Sequence, residues 1–311
     1  MGKSMDTRIK VTVFTPTYNR GNLILNVYKS LLSQSCKDFE WIIMDDGEDN
    51  TDEIIESIKT SADFQIIYQR NANSTERGIG RAFNRMLNEA HGLMVLKLDD
   101  DDTLSDDAIE TIIRYEKTIN NRSEYAGVAG LRHYPDGKVI SREWKGNSDW
   151  LDCTNLERRK YGLEGDKAEA YYLDVLKKYG PMPVASGENY TWEGVLWDRI
   201  AHAGKKIRWF NKKIYCTQYL PGGATDTRIE ARSNNFYTYT TYVSERMSYR
   251  EIPFSSRLKQ CCRYFELARE KSIPYRDIKQ YFNKNRGMAL LGYIGSNFTK
   301  FIPQKNVKYS N

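Results

Sequence analysis

The chain has 311 residues, of which 40% are hydrophobic and 28% charged, a size and composition for one large domain or a domain with an extension. A net charge of +6 is compatible with an anionic substrate or a membrane surface and too weak to argue for nucleic acid. Five cysteines with no CxxC spacing and only three histidines argue for reduced thiols, a cytoplasmic location and no zinc site.

Met1 to Lys10 are polar and lack the apolar core of a signal peptide, and no run approaches the ~20 apolar residues that span a bilayer. Val11-Thr12-Val13-Phe14 reads as a strand stopped by Pro16. Asn22 can cap the next helix, whose Leu23, Ile24, Val27, Leu31 and Leu32 fall at helical spacing. Phe39 to Met44 is a second strand ending at Asp45-Asp46-Gly47. The helix from about Thr51 carries Asp52 and Glu53 in its first turn, where acids complement the helix dipole. Phe64 to Tyr68 is a third strand, and Ala82, Phe83, Met86, Leu87 and Ala90 mark a helix ended by Gly92. Leu93 to Leu98 is an apolar strand, after which Ser105 caps a helix bearing Ile109, Ile112, Ile113 and Ile119.

This alternation predicts an α/β fold, a mostly parallel sheet flanked by helices. The strands end in Thr15-Pro16-Thr17-Tyr18-Asn19, in Asp45-Asp46 and in Asp99-Asp100-Asp101-Asp102, and parallel strands gather such tips along one edge, where open α/β sheets bind ligands. Four adjacent carboxylates repel one another, and a hard divalent cation such as Mg²⁺ would offset the repulsion. A solvated acidic loop leading into the next helix accounts for them equally well.

Beyond residue 120 the pattern is less regular. Tyr125 to Tyr134 and Lys138 to Ser141 read as a hairpin around Pro135-Asp136-Gly137, and Lys167 to Lys178 as a helix stopped by Gly180-Pro181. Thr191 to Ala203 reads as a helix with Trp192, Val195, Leu196 and Ile200 on one face. Ile207 to Phe210 and Lys213 to Tyr219 read as short strands. A boundary near residue 225 separates a first domain, 1–225, from a helical extension, 226–311.

Val13-Phe14-Thr15-Pro16-Thr17-Tyr18-Asn19-Arg20, Ile42-Ile43-Met44-Asp45-Asp46-Gly47, Arg81-Ala82-Phe83-Asn84 and Leu98-Asp99-Asp100-Asp101-Asp102, in this order and spacing, closely resemble the inverting family-two glycosyltransferases with the GT-A fold. Gly165-Asp166-Lys167-Ala168-Glu169 and the segment from Trp192 to Ile200 look like a subgroup of bacterial envelope and capsular polysaccharide loci. The resemblance covers roughly the first two-thirds of the chain. It implies transfer of a sugar from a nucleotide-diphosphate donor, most often a UDP-sugar, to a hydroxyl of a glycan or lipid-linked acceptor, assisted by Mn²⁺ or Mg²⁺.

Carried onto this sequence, the resemblance gives Asp101 the metal and Asp99 the ribose or the metal shell, with Asp100 and Asp102 tuning the site or lying solvated before the helix. It puts Pro16, Thr17 and Tyr18 along the base pocket, and has Asp46 or Asp45 accept hydrogen bonds from the base or ribose. Arg77 and Arg81 become candidate diphosphate contacts, since guanidinium forks suit phosphate oxygens. Inversion in one displacement needs a general base, and Glu193 matches the family's catalytic acid in the first turn of its helix. Glu188 is a weaker candidate, and Asp198 is expected to face outward. Lys167 either reaches donor or acceptor or is solvated. The sequence departs from the family at Glu48, where serine is frequent, and at Trp192, where a second acid is frequent.

The extension mixes Arg and Lys with aromatic and aliphatic residues, and Gly287 to Phe301 is apolar and followed by a basic tail. Packing against the first domain is the favoured reading; a homo-oligomer contact and a peripheral contact with the inner face of a membrane are the others. Three rival functions are weighed. A non-catalytic nucleotide-sugar or carbohydrate-binding protein would not need Asp99, Asp101 and Glu193 together. A structural calcium protein would show EF-hand spacing. A nucleotidyltransferase would carry a glycine-rich loop near the first strand.

Overall fold

The β-branched run near the start of the chain forms a strand buried on both faces, β1 (Val11–Thr17), within a nine-stranded sheet in the computed structural model. The described residues are 9–140, 142–218 and 228–298. After β1 come α1 (Gly21–Leu32), β2 (Phe39–Asp45), α2 (Thr51–Lys59), β3 (Gln65–Arg70), α3 (Ile79–Glu89), β4 (Met94–Lys97), β5 (Thr103–Leu104) and α4 (Ala108–Glu116). They are followed by β6 (Tyr125–His133), β7 (Trp150–Cys153), β8 (Lys167–Tyr172), α5 (Leu173–Tyr179), α6 (Gly194–His202) and β9 (Lys206–Cys216). Five helices complete the described chain: α7 (Arg228–Asn234), α8 (Phe236–Arg246), α9 (Phe254–Glu270), α10 (Tyr275–Ile278) and α11 (Arg286–Gly295). Two compact units result, Met1–Thr227 and Arg228–Asn311; the boundary expected near residue 225 lies outside the described residues.

The strand order is β3-β2-β1-β4-β8-β6-β9-β5, with β7 also on β9. Strands β1 to β4 pair in parallel, as their alternation with helices requires. The second half is mixed: β8 lies antiparallel between β4 and β6, and β9 runs parallel to β6. Polar groups inside the parallel half are paired. Glu40, 0% exposed on β2, accepts from the Thr12 hydroxyl at 2.6 Å and from the backbone N–H groups of His91 and Gly92 at 2.7 and 3.2 Å. One carboxylate thus ties β1 and β2 to the turn that starts β4.

Several local expectations change. β1 continues through Pro16. Alternate strand residues bond to alternate neighbours, and Leu98 N–H donates to the Phe14 carbonyl, so the Pro16 nitrogen faces the side where β4 has already ended. Asn22 lies inside α1, whose first amide, Gly21 N–H, donates to Asp49 Oδ2 at 3.0 Å. Asp107, not Ser105, stands at the N-cap of α4, and the Ser105 hydroxyl lies 3.2 Å from His133 Nε2. The hairpin after β6 is reduced to a bridge between His133 and Val139, with Ser141 outside the described residues. Residues 207–216 form one strand rather than two, because β6, β7 and β5 all pair along it.

The largest change is at 167–178. Its first half is a strand, β8, and only its second half is helical. Lys-Ala-Glu-Ala-Tyr-Tyr is composed mainly of helix formers, but the slot between β4 and β6 offers ladder bonds on both sides, and tertiary pairing overrides propensity.

The second unit has its own aromatic core. Tyr264 of α9 stacks on Phe236 of α8 at 5.3 Å, its hydroxyl lies 2.8 Å from Thr240 Oγ1, and Phe265 and Phe282 close around it. Among the described residues no helix is long and apolar enough to cross a membrane.

Candidate active site

The ends of β1 and β4 meet at the acidic run. Asp100 Oδ2 accepts from Thr17 Oγ1 at 2.8 Å and Oδ1 from Arg20 Nη1 at 3.1 Å, and the same Arg20 nitrogen lies 3.3 Å from Asp101 Oδ2. Asp102 Oδ1 accepts from the Gln218 amide at 2.9 Å, tying the run to the chain after β9. Asp100 and Asp102 are therefore buried anchors, 6% and 3% exposed, rather than solvated acids. Burial pushes the Asp100 carboxyl up to about 6. Burial, followed by the Asp99 charge, pushes Asp102 up to about 7. Asp101 is raised as well, by burial and then by Asp99, so the carboxylates of the run act on one another electrostatically.

Asp99 is held differently. Lys97, inward on the strand that carries the run, places Nζ 2.6 Å from Asp99 Oδ1 and 2.7 Å from Glu193 Oε1. Burial alone would raise Asp99, but the Lys97 ammonium, the Arg132 guanidinium and a bond from Tyr215 outweigh it and hold the carboxyl below its usual range. Burial would likewise lower Lys97, and the charges of Asp99 and Glu193 reverse that and keep it protonated. The Arg132 guanidinium stacks 4.0 Å from the Tyr215 ring, whose hydroxyl oxygen accepts from Asp99 N–H at 3.0 Å.

Glu193 arrives through β8 and α6. Trp197 on the first turn of α6 stacks on Tyr171 of β8 at 4.1 Å, and β8 pairs with β4, so the helix start faces the end of β4. Glu193 occupies the N-cap rather than the first turn, and its carbonyl accepts from Leu196 and Trp197. Asp198 does not face outward; it is 3% exposed.

The residues expected to face a donor separate into two groups. Tyr18 is 54% exposed beside half-buried Pro16, and the Arg77 guanidinium lies 5.8 Å from the Tyr18 ring. Arg77 pairs with Glu48, and its buried Nε–H has no hydrogen-bond partner. Asp45, Asp46 and Arg81 are turned inward. Asp45 is 0% exposed and accepts from Tyr68, Arg70 and Gly47, so it builds the turn after β2. Asp46 accepts from Asn71, Arg85 and Gly78 N–H, which fixes the start of α3. Arg81 donates to the carbonyls of Glu188 and Ala185 at 2.6 and 2.7 Å and pairs with Glu76, so it staples the segment before Glu193 to α3. Gly78 is required at that joint: its φ is +126° and a Cβ would meet the Asn189 carbonyl at 2.4 Å. Lys167 is also buried, on the Arg142 carbonyl.

Lys97, Arg132 and Tyr215 carry no role in the sequence pattern, and Arg20 stands there only as the last residue of the first motif. Only Lys97 left a signal there, a lone charge in the middle of a buried apolar run. Around these residues, five carboxylates (Asp99 to Asp102 and Glu193) meet three cations (Lys97, Arg20 and Arg132). That surplus of negative charge suits a divalent cation. Among the described residues no cluster of three His, Cys, Asp or Glu side chains is arranged to hold a metal.

The family model described as glycosyl transferase family 2 matches residues 12–169. A GalNAc(5)-diNAcBac-PP-undecaprenol beta-1,3-glucosyltransferase of Campylobacter jejuni is 35% identical over 170 residues, 54% of this chain and 52% of that protein. The match thus spans about half the length of that curated relative. Among solved structures, S. aureus TarS 1-349 in complex with UDP-GlcNAc aligns with a TM-score of 0.63 at 14% identity, over 94% of this chain and 91% of that one. The mannosyltransferase PcManGT from Pyrobaculum calidifontis, in complex with GDP-Man and Mn²⁺, aligns with a TM-score of 0.54 at 16% identity, over 95% and 76%. These structures share the GT-A fold with this chain.

Proposed function

The chain belongs to glycosyl transferase family 2, and from that premise we propose that it is a metal-dependent inverting glycosyltransferase. Its donor is a nucleotide-diphosphate sugar, a UDP-sugar in the first instance, and its acceptor a hydroxyl of a glycan or lipid-linked intermediate of envelope polysaccharide synthesis. The observation that supports this most directly is the shared Lys97 ammonium, 2.6 Å from Asp99 and 2.7 Å from Glu193, which joins the candidate base to the acid-tipped strand.

In this reading Glu193 takes the proton of the acceptor hydroxyl as its oxygen attacks the anomeric carbon on the face opposite the departing diphosphate. Lys97 orients the Glu193 carboxylate. Tyr18 and Pro16 line the base side of the donor, and the Arg77 guanidinium beside Tyr18 contacts its diphosphate. A divalent cation shared by Asp101, Asp99 and the donor phosphates would neutralise the charge that develops on the leaving group. The Campylobacter relative is named for an undecaprenol-linked acceptor, which favours a working position at the inner face of a membrane.

The test is a panel of nucleotide sugars with Mn²⁺ or Mg²⁺, with and without acceptor lipid, read as released nucleoside diphosphate. Glu193→Gln is expected to lower transfer by ~10²–10⁴-fold while nucleotide binding persists. Asp101→Ala, or chelation of the metal, is expected to abolish both turnover and metal-dependent binding. Undiminished transfer by Glu193→Gln would remove the base assignment. Metal-dependent nucleotide binding without turnover on any donor would favour the binding-protein reading instead.

A further inference from the structure

The helix α11 is built inside out. Its small residues Ala289 and Gly292 are buried while Leu290, Leu291 and Ile294 are 50–51% exposed, and just past its end Ser296 is buried and Phe298 is 63% exposed. At about 100° per residue the three exposed aliphatic residues fall within an arc of about 100°, opposite Ala289 and Gly292. The small face is demanded by α9: a Cβ on Gly292 would meet Cys261 Sγ at 2.4 Å, and one on Gly295 would meet Cys262 Sγ at 2.7 Å. A helix surrounded by water buries its large aliphatic side chains and turns small or polar ones outward. Small residues at the helix contact with large apolar ones outside is the arrangement of a helix that meets lipid. At ten residues α11 is far too short to span a bilayer and suits the interface plane.

Charge names the kind of surface. From residue 278 to residue 311 the sequence carries Lys279, Lys284, Arg286, Lys300, Lys305 and Lys308 and no Asp or Glu. Residues 228–311 hold sixteen Lys and Arg against six Asp and Glu, a net of +10 in a chain whose total is +6, so residues 1–227 are net negative. Basic residues flanking an exposed aliphatic face match an anionic lipid surface. Nucleic acid would account for the charge and leave Leu290, Leu291, Ile294 and Phe298 unexplained.

We infer that the exposed face of α11, with the described cations Lys279, Lys284 and Arg286 beside it in sequence, docks the protein on an anionic bilayer surface. The inference stands on the second unit alone and holds or fails independently of the catalytic reading.

The experiment is flotation of the full chain with vesicles of phosphatidylcholine alone and with phosphatidylglycerol added, at low and raised salt, beside sedimentation velocity without lipid. Flotation is expected only with the anionic vesicles, weakening roughly fivefold for each flanking cation removed by substitution. Leu290→Ser/Ile294→Ser is expected to lose at least tenfold in vesicle binding with an unchanged thermal unfolding profile. No flotation with anionic vesicles at low salt would overturn the inference, as would full binding by the double variant. A lipid-independent dimer that the double variant dissolves would assign the face to a second copy, and RNA binding that competes with vesicles without needing Leu290 and Ile294 would assign the charge to nucleic acid; either result overturns it.

Discussion

An ammonium within 2.7 Å of two carboxylates, with 17% of its side chain exposed, holds together negative charges that would otherwise repel across a poorly screened gap. Removing one partner of such a group leaves the others uncompensated, so Lys97→Met is expected to cost about 3 kcal/mol of unfolding free energy. Adding Glu193→Gln to it removes one of the stranded charges. The double variant should therefore lose less than the sum of the singles by at least ~1 kcal/mol in urea denaturation. Strict additivity would mean that Lys97 and Glu193 do not share a pair in solution. The acidic run itself was legible because four carboxylates after an apolar strand allow few placements. The partners of Asp45 and Arg81 were not legible, for the opposite reason. Many placements suit a single charged residue, and the partners, Tyr68 and Arg70 for the one and the 185 and 188 carbonyls for the other, come from distant segments that only the fold brings together.

At the scale of elements, the strands β1 to β4 follow from period and punctuation, whereas β8 does not. Its residues favour a helix locally and become a strand through non-local pairing with β4 and β6, which no local pattern encodes. The site depends on that strand, since Tyr171 carries Trp197 and hence the start of α6. Lys167, its first residue, records the cost of inserting it: burial, followed by the Arg158 charge, pushes the ammonium down to about 8 from 10.5. The unfolded chain then binds more protons than the folded one between those values, so stability from this group rises with pH across that window, and the penalty is fully present below about 8. Lys167→Met removes the dependence. Its stability relative to wild type should be highest near neutrality and fall by roughly 3 kcal/mol as pH passes from about 8 to 10.5. A pH-independent difference between the two proteins would show that Lys167 titrates normally.

On the scale of the whole molecule, the charge is divided as the fold is. A net negative unit carries the acidic site and a strongly basic one carries the inside-out helix, a partition that the total of +6 conceals. Each unit also has a core of its own, Trp41, Phe14 and Ile42 in the first and Tyr264, Phe265 and Phe282 in the second, which is the condition for separate cooperative melting. Ligand linkage can then report where the nucleotide binds. A species that binds only the folded state adds RT ln(1 + [L]/Kd), about 2.7 kcal/mol at a hundredfold excess over Kd. UDP with Mn²⁺ is accordingly expected to shift one of two unfolding transitions upward and leave the other in place, with Asp101→Ala abolishing the shift. The moving transition should be the one whose hydrogen-exchange protection lies in β1, β2 and β4. If the stationary and moving transitions merged, so that α8 and α9 gained protection together with β4, the nucleotide's binding energy would be shared by both units, and they would unfold as one cooperative body despite their separate cores.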